Sequence, residues 1–137
     1  MAQVFMAGRG AAQWQLLWEN ASPSSNFPAQ TVAFDATGMD AIAICCMPSA
    51  GDKGSDVKII KIGRTHEEEQ TVGWFLVVNT EFNDTFCVQR RAAVLPGSIA
   101  FQAASRQTFG TSGMWTVANQ YFVPVQIWGT KLFKEVP

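Results

Sequence analysis

The sequence predicts an all-β fold, an antiparallel β-sandwich of the jelly-roll kind with about eight strands. Its apolar runs are short, rich in β-branched and aromatic residues, and separated by Gly, Pro, Asn, Asp and Ser. No run has the 3.6-residue apolar period of a convincing helix, which argues against an α/β layout. The predicted strands are Gln13–Trp18, Gln30–Asp35, Ala41–Met47, Val57–Ile62, Val72–Phe82, Thr85–Val94, Ser98–Ala103 and Tyr121–Trp128.

The first strand has its large side chains on alternate positions. Because successive side chains of a strand point to opposite faces, we expect Trp14, Leu16 and Trp18 on one face. The stretch NASPSSNFPAQ that follows contains two prolines, which lack a backbone donor, and Asn and Ser side chains that hydrogen-bond locally. It predicts a corner at one end of the sandwich, after which the chain re-enters a sheet at Thr31.

The clearest local pattern is TVGWFLVVNTEFNDTFCVQRRAAVLPGSIAFQA. Asn83-Asp84 separates its first two apolar runs, and Pro96-Gly97 separates the second run from the third. Both dipeptides suit tight turns, so the pattern predicts a three-stranded antiparallel meander.

An inward-facing arginine is expected on the middle strand of this meander. Arg90 shares a strand face with Phe86 and Val88, and it therefore points toward an apolar side, where a charge needs a partner. The acidic residues of GRTHEEEQ, a segment typical of an exposed hairpin tip, are the candidate partners.

Length and composition indicate a single domain, which begins with the first predicted strand and covers residues 13–137. The chain has 137 residues, of which 47% are hydrophobic and 15% charged, and its net charge is -1. No Lys/Arg cluster is longer than Arg90-Arg91, so nothing offers the basic surface that nucleic acid requires. So low a charge indicates a surface partly covered by a partner or by copies of the chain.

Segments for targeting and membrane insertion are not recognisable. The N-terminal stretch lacks the apolar core of a secretory signal, and no stretch has the apolar length of a membrane span. We therefore expect a soluble product of the cytoplasm that does not insert into a membrane.

Residues that could support catalysis or bind a metal are few. The single histidine, His66, lies beside Glu67–Glu69, whereas a zinc or iron site needs several imidazole or thiolate ligands. The Gly-rich loop GTSGMW around Ser112 does not match the G-x-S-x-G nucleophile elbow. We expect no enzymatic activity, no metal and no cofactor.

The three cysteines lie in apolar, strand-like surroundings. Such surroundings are typical of buried thiols in a reducing compartment. A disulfide from Cys45 or Cys46 to Cys87 stays open if their strands are neighbours.

The two outer portions of the chain share features with a known family. LLWENASPSSNFPAQTVAFDATGMDAIAI has a Leu-Trp pair, an Asn/Pro/Ser-rich turn, an apolar strand ending in Asp, and a Gly/Asp corner. TVANQYFVPVQIWGTK has Asn119, an apolar strand with Pro124, and the pair Trp128-Gly129. In these features the chain resembles a β-sandwich family of bacteriophage structural proteins, chiefly tail-fibre, baseplate and minor virion proteins of phages of Gram-positive bacteria.

That resemblance implies a non-enzymatic component of a virion, made in the cytoplasm of the host bacterium. The implied role is a tail-fibre or baseplate module in host attachment. The implied assembly is a homo-oligomer, with a trimer favoured, in contact with other virion proteins. In that assembly residues 1–12, which contain small residues and the glycines Gly8 and Gly10, would form an N-terminal arm that joins the module to a neighbouring subunit or to another virion protein. We assign structural roles to Trp14, Trp18, Arg90 and Trp128.

Two alternative functions stay open. One is a capsid or head-decoration protein, or a head fibre, that stabilises the particle and has no ligand. The other is a stand-alone carbohydrate-binding module or a small hydrolase. Glycan sites use an exposed aromatic platform beside amide or carboxylate groups, and Trp74, or Trp115 with Asn119, are the candidate platforms for a host surface glycan.

Overall fold

The computed structural model describes residues 13–49, 56–62, 69–79, 84–109 and 114–131. These residues form strands and turns, and no helix occurs among them. The all-β prediction is confirmed. The strands are β1 (Gln15–Glu19), β2 (Gln30–Ala33), β3 (Ala41–Ser49), β4 (Asp56–Lys61), β5 (Glu69–Asn79), β6 (Asp84–Leu95), β7 (Ser98–Phe101), β8 (Ser105–Thr108), β9 (Trp115–Val117) and β10 (Tyr121–Thr130).

Two antiparallel sheets form the β-sandwich. The first sheet has the order β1-β10-β3-β4. The second sheet is built on the long strand β6, which pairs with β5 along one side and with β7 and β8 in succession along the other. Strand β2 extends the sheet beyond β7, and β9 extends it beyond β8. The jelly-roll connectivity stays a prediction.

The predicted meander is present as β5, β6 and β7. Pro96-Gly97 forms the two-residue turn between Leu95 and Ser98, which pair with each other, and Gly97 has a φ of 81°. Glycine takes this left-handed conformation without the steric cost that a Cβ brings. Asp84 is the first residue of β6, and Asn83, the N-terminal arm 1–12 and Ser112 lie outside the described residues.

The main core lies between the inner faces of the two sheets. Its centre consists of fully buried aliphatic and aromatic side chains from β3, β6, β7 and β10, including Ile42, Ile44, Val88, Ile99, Phe122 and Ile127. A smaller cluster lies on the outer side of the first sheet and consists of Trp14, Ala41, Ala43, Cys45 and Trp128.

The expectation that Trp14, Leu16 and Trp18 share one face is wrong. The pairing of β1 with β10 shifts register between Leu16 and Trp18, so that a β-bulge interrupts the alternation. Trp14 therefore belongs to the outer cluster, whereas Trp18 packs against the main core.

Strand β5 approaches β10 closely at Gly73. The ring of Phe122 occupies the space that a Cβ on Gly73 would need. Phe122 itself has a φ of 47°, a left-handed conformation that costs a non-glycine residue free energy, and its ring centroid lies 5.3 Å from that of Phe75. Gly73 and Phe122 together let the two sheets approach each other at this point.

Replacing Gly73 with Ala is therefore expected to lower the free energy of unfolding by about 1–3 kcal/mol, because the new methyl group overpacks the contact with Phe122. Urea unfolding measures this loss. Thr71→Ala, on the exposed part of the same strand, is the control and should change stability by less than about 0.5 kcal/mol. Equal stabilities for the two variants would contradict the close approach.

Candidate functional site

The outer side of the second sheet exposes a group of large apolar side chains. On β5, Trp74 is 56% exposed, Leu76 47% and Val78 61%, and on β9, Trp115 is 43% and Val117 71% exposed. Cross-strand pairing places these side chains on one side of the sheet, because residues directly opposite each other in a ladder share a face. Two lines of directly paired residues run across β5, β6, β8 and β9 and show this: Leu76, Cys87, Gln107 and Trp115 in one, and Trp74, Gln89, Ser105 and Val117 in the other.

We name this surface the apolar face and define it by Trp74, Leu76, Val78, Phe109, Trp115 and Val117. Phe109 belongs to it because its backbone N–H donates to Thr85, which lies opposite Val78. Exposed apolar side chains are unremarkable when scattered singly, but neighbouring ones along one face of a strand are typical of an interaction site.

The apolar face consists of two ridges with a neutral polar floor between them. Trp74, Leu76 and Val78 form the β5 ridge, and Trp115 and Val117 form the β9 ridge. Strands β6 and β8 contribute the floor, where Gln89, Ser105 and Gln107 lie between the ridges. Three strand spacings separate β5 from β9, which corresponds to about 14 Å.

The two candidate platforms of the sequence analysis, Trp74 and Trp115, thus lie on the same face, and each is opposite a glutamine in its ladder. Asn119 is not with them. It lies in the turn before β10, where its side-chain Oδ1 accepts a hydrogen bond from the Ala104 N–H at 3.1 Å and its carbonyl accepts one from the Phe27 N–H at 3.0 Å. Its position is that of a residue that connects segments at the end of the sandwich.

Arg90 lies on the inner face of β6, as expected, and none of it is exposed. Its guanidinium donates to three backbone carbonyls: Nη1 to Gln102 at 2.7 Å, and Nη2 to Tyr121 at 3.1 Å and to Asn119 at 3.4 Å. Its Cζ lies 5.4 Å from the centroid of the Phe27 ring. Burial lowers the pKa of Arg90 to about 10, so the side chain is still protonated at neutral pH.

The sequence predicts that an acidic residue of GRTHEEEQ pairs with Arg90. For Glu69, the glutamate of this segment that the structure describes, this prediction is wrong. Glu69 contacts Arg91 instead, with 3.8 Å between Oε2 and Nη1, and also accepts a hydrogen bond from Gln102. Arg91 points to the outer side because it follows Arg90 in the strand. His66, Glu67 and Glu68 lie outside the described residues.

Backbone carbonyls take the place of a carboxylate around Arg90 because one strand ends and another begins beside it. Gln102 follows β7, and Asn119 and Tyr121 surround the start of β10. Carbonyls at strand ends have no ladder partner, and a guanidinium can satisfy several of them at once.

The three tryptophans to which the sequence analysis assigns structural roles, Trp14, Trp18 and Trp128, pack within the sandwich. Trp128 is 3% exposed and its Nε1 donates to Gln126 Oε1 at 3.1 Å, while Gln126 Nε2 donates to Glu19 at 2.8 Å. Trp14 is 2% exposed, and the Trp18 ring packs edge-on against Phe27, with 6.3 Å between centroids.

The two outer portions of the sequence meet in space. Strand β1 pairs with β10, and Asn20 just beyond β1 donates to β10 twice, from its side chain to Pro124 and from its backbone to Val125, both at 2.8 Å. Phe27, in the proline-containing corner, bonds to Asn119 and lies under Arg90. The two outer portions of the chain therefore form one connected region.

All three cysteines are free and buried. Cys45 and Cys46 lie on β3 of the first sheet, and Cys87 lies on β6 of the second. Burial raises the pKa of Cys45 to about 11 and that of Cys46 to about 12, which keeps both thiols protonated and unreactive at neutral pH.

The described ranges contain neither a metal-binding cluster nor a membrane-spanning helix. No group of three or more His, Cys, Asp or Glu side chains there could hold a metal ion. None of the described segments is a helix long and apolar enough to cross a membrane.

Comparison with known protein families, with curated proteins and with solved structures finds no match to this chain.

Replacing Arg90 with Met should lower the free energy of unfolding by about 2–4 kcal/mol, since it removes the guanidinium that donates to the carbonyls of Gln102 and Tyr121 and leaves Asn119 with the Phe27 N–H alone. Arg91→Met is the matched control. Its side chain is 47% exposed and its ion pair with Glu69 should contribute less than about 1 kcal/mol. Urea unfolding of both variants tests this, and equal losses would contradict a specific role for Arg90.

Proposed function

We propose that this protein is a non-enzymatic structural protein of a bacteriophage virion, a tail-fibre or baseplate module that assembles as a homo-oligomer and takes part in host attachment. The apolar face is the observation that carries the proposal. Burial of its aliphatic members Leu76, Val78 and Val117 under another protein lowers the free energy of the system. A chain with only 15% charged residues and a net charge of -1 has little electrostatic repulsion to oppose such association.

The arrangement of the outer portions of the chain supports the link to phage proteins. The resemblance to that family is carried by the corner after β1 and by β10, and these segments bond to each other through Asn20, Phe27 and Asn119. Features that are far apart in sequence thus form one connected part of the fold.

Deletion of the gene from the phage that encodes the protein tests the proposal. We expect the purified wild-type particle to contain the protein, and the deletion particle to assemble but to lose adsorption to host cells. Mass spectrometry of purified particles and an adsorption assay measure the two results. Absence of the protein from particles would contradict a virion role, and broken particles would favour the capsid or head-decoration alternative.

A second candidate function, binding of a neutral glycan, is favoured by the order of side chains on the apolar face. Trp74 lies opposite Gln89, and Trp115 lies opposite Gln107. An indole ring packs against the CH groups of a sugar, while an amide can donate to and accept from its hydroxyls. The floor residues Gln89, Ser105 and Gln107 carry no charge, which suits a neutral sugar better than an acidic one.

Binding to soluble neutral glucans, mannans and galactans, measured by affinity electrophoresis, tests the glycan function. Trp115→Ala should weaken binding about tenfold, because a stacking surface is lost. Ile59→Ala removes an exposed apolar side chain from β4 in the first sheet and should leave binding unchanged. Binding that is equally strong in both variants, or no binding to any of these polysaccharides, would contradict glycan binding by the apolar face.

A further inference from the structure

The edges of the two sheets differ in how well they resist pairing with another strand. An exposed edge offers unpaired N–H and C=O groups, and proteins protect edges with short strands, bulges or charged residues. Strand β1 has five residues and a bulge, β2 has four residues and β9 has three. Strand β4 contains Lys58 and Lys61. Each of these edges therefore has at least one protective feature.

Strand β5 is the least protected of the described edges. It has 11 residues, a length of about 37 Å, and it pairs with β6 alone among the described strands. Its stretch Gln70–Val78 contains neither a charged residue nor a proline. Its single bulge lies near the start, between Thr71 and Gly73, and leaves the rest of the strand regular.

We propose that β5 is a dimerisation edge, on which β5 of a second copy of the chain pairs antiparallel across a two-fold axis. The two second sheets then become one continuous sheet. The inference rests on the homo-oligomer part of the proposed function, and it specifies a two-fold contact in place of the trimer that the family resemblance favours.

The sequence of β5 fits a second copy of itself. Trp74 is the midpoint of Glu69–Asn79, so antiparallel pairing about this midpoint places the two Trp74 residues at the axis, with the Thr71–Gly73 bulge of each copy close beside it. A large aromatic side chain at the centre of a contact is where interfaces concentrate their binding free energy. No like charges oppose each other along the uncharged stretch, and the same surface serves both copies, as a two-fold contact requires.

Edge pairing also extends the apolar face. The β5 ridges of the two copies, with Trp74, Leu76 and Val78 exposed in each monomer, become neighbours across the new ladder. The outward backbone groups of β5 gain hydrogen-bond partners. The β9 ridge lies at the opposite edge of its sheet and stays outside the contact.

Two lysine substitutions on the same face separate edge pairing from packing of the whole face. Leu76→Lys places a charge on the β5 ridge, and Val117→Lys places the same charge on the β9 ridge. Both positions are exposed in the monomer, so both variants should keep the fold, which circular dichroism checks. We expect light scattering to show that the wild-type protein is a dimer. Leu76→Lys should raise the dissociation constant of this dimer at least about 100-fold, whereas Val117→Lys should change it less than about threefold.

A crosslink tests the position of the axis, at a protein concentration high enough to offset the affinity that is lost with the Trp74 ring. Trp74→Cys places the two new thiols opposite each other across the two-fold axis, within reach of a disulfide. The native cysteines are buried and should not compete. Mild oxidation should give a dimer on a non-reducing gel, whereas Val117→Cys should remain a single chain.

The outcomes distinguish this inference from the proposed function. A trimer, or a dimer that both lysine variants weaken equally, would overturn the edge contact and leave a homo-oligomeric virion protein in place. A monomer at all concentrations would overturn the edge contact and self-assembly together, while adsorption of the deletion phage would still decide the virion role.

Discussion

The buried guanidinium of Arg90 is the constraint on which the rest of the structure depends. It is fully enclosed, and the described residues around it supply three backbone carbonyls and one aromatic ring. Those carbonyls belong to the end of β7 and to both sides of the turn before β10, and the ring belongs to the corner after β1. A charge that must be solvated by carbonyls fixes where these segments end, since a displaced segment would leave both the charge and the carbonyl unpaired.

The same strand connects that buried charge to the exposed surface. Side chains of β6 alternate between the two sides of the sheet, so fixing Arg90 inward fixes Gln89 and Cys87 outward. Strand β5 takes its register from β6, and the close contact between Gly73 and Phe122 holds it against the first sheet. The β5 ridge therefore stands on a rigid support, and a rigid ridge loses less conformational entropy on association than a mobile loop would.

Much of the fold could be predicted because its signals are local. The turn residues Pro96-Gly97 delimit the meander, and alternation along β6 predicts that Arg90 points inward. Strands β8 and β9 were not predicted, because SRQT is polar and WTV has three residues, so their pairing depends on β6 rather than on their own sequence. The solvation of Arg90 by carbonyls also could not be predicted, since backbone acceptors leave no pattern in a sequence.

The apolar face could not be predicted from the sequence either, because it depends on how distant strands pair. Trp74 and Trp115 could each be singled out as aromatic residues near loops, but they share a surface only because β6 and β8 lie between their strands.

The two ridges of the apolar face differ in what they can bind. The β5 ridge stands on a long uncharged edge, where backbone pairing and apolar burial act together, whereas the β9 ridge stands on a strand of three residues that offers little backbone. A self-contact at β5 therefore leaves the β9 ridge and the polar floor accessible, so one sheet can serve both assembly and a second partner.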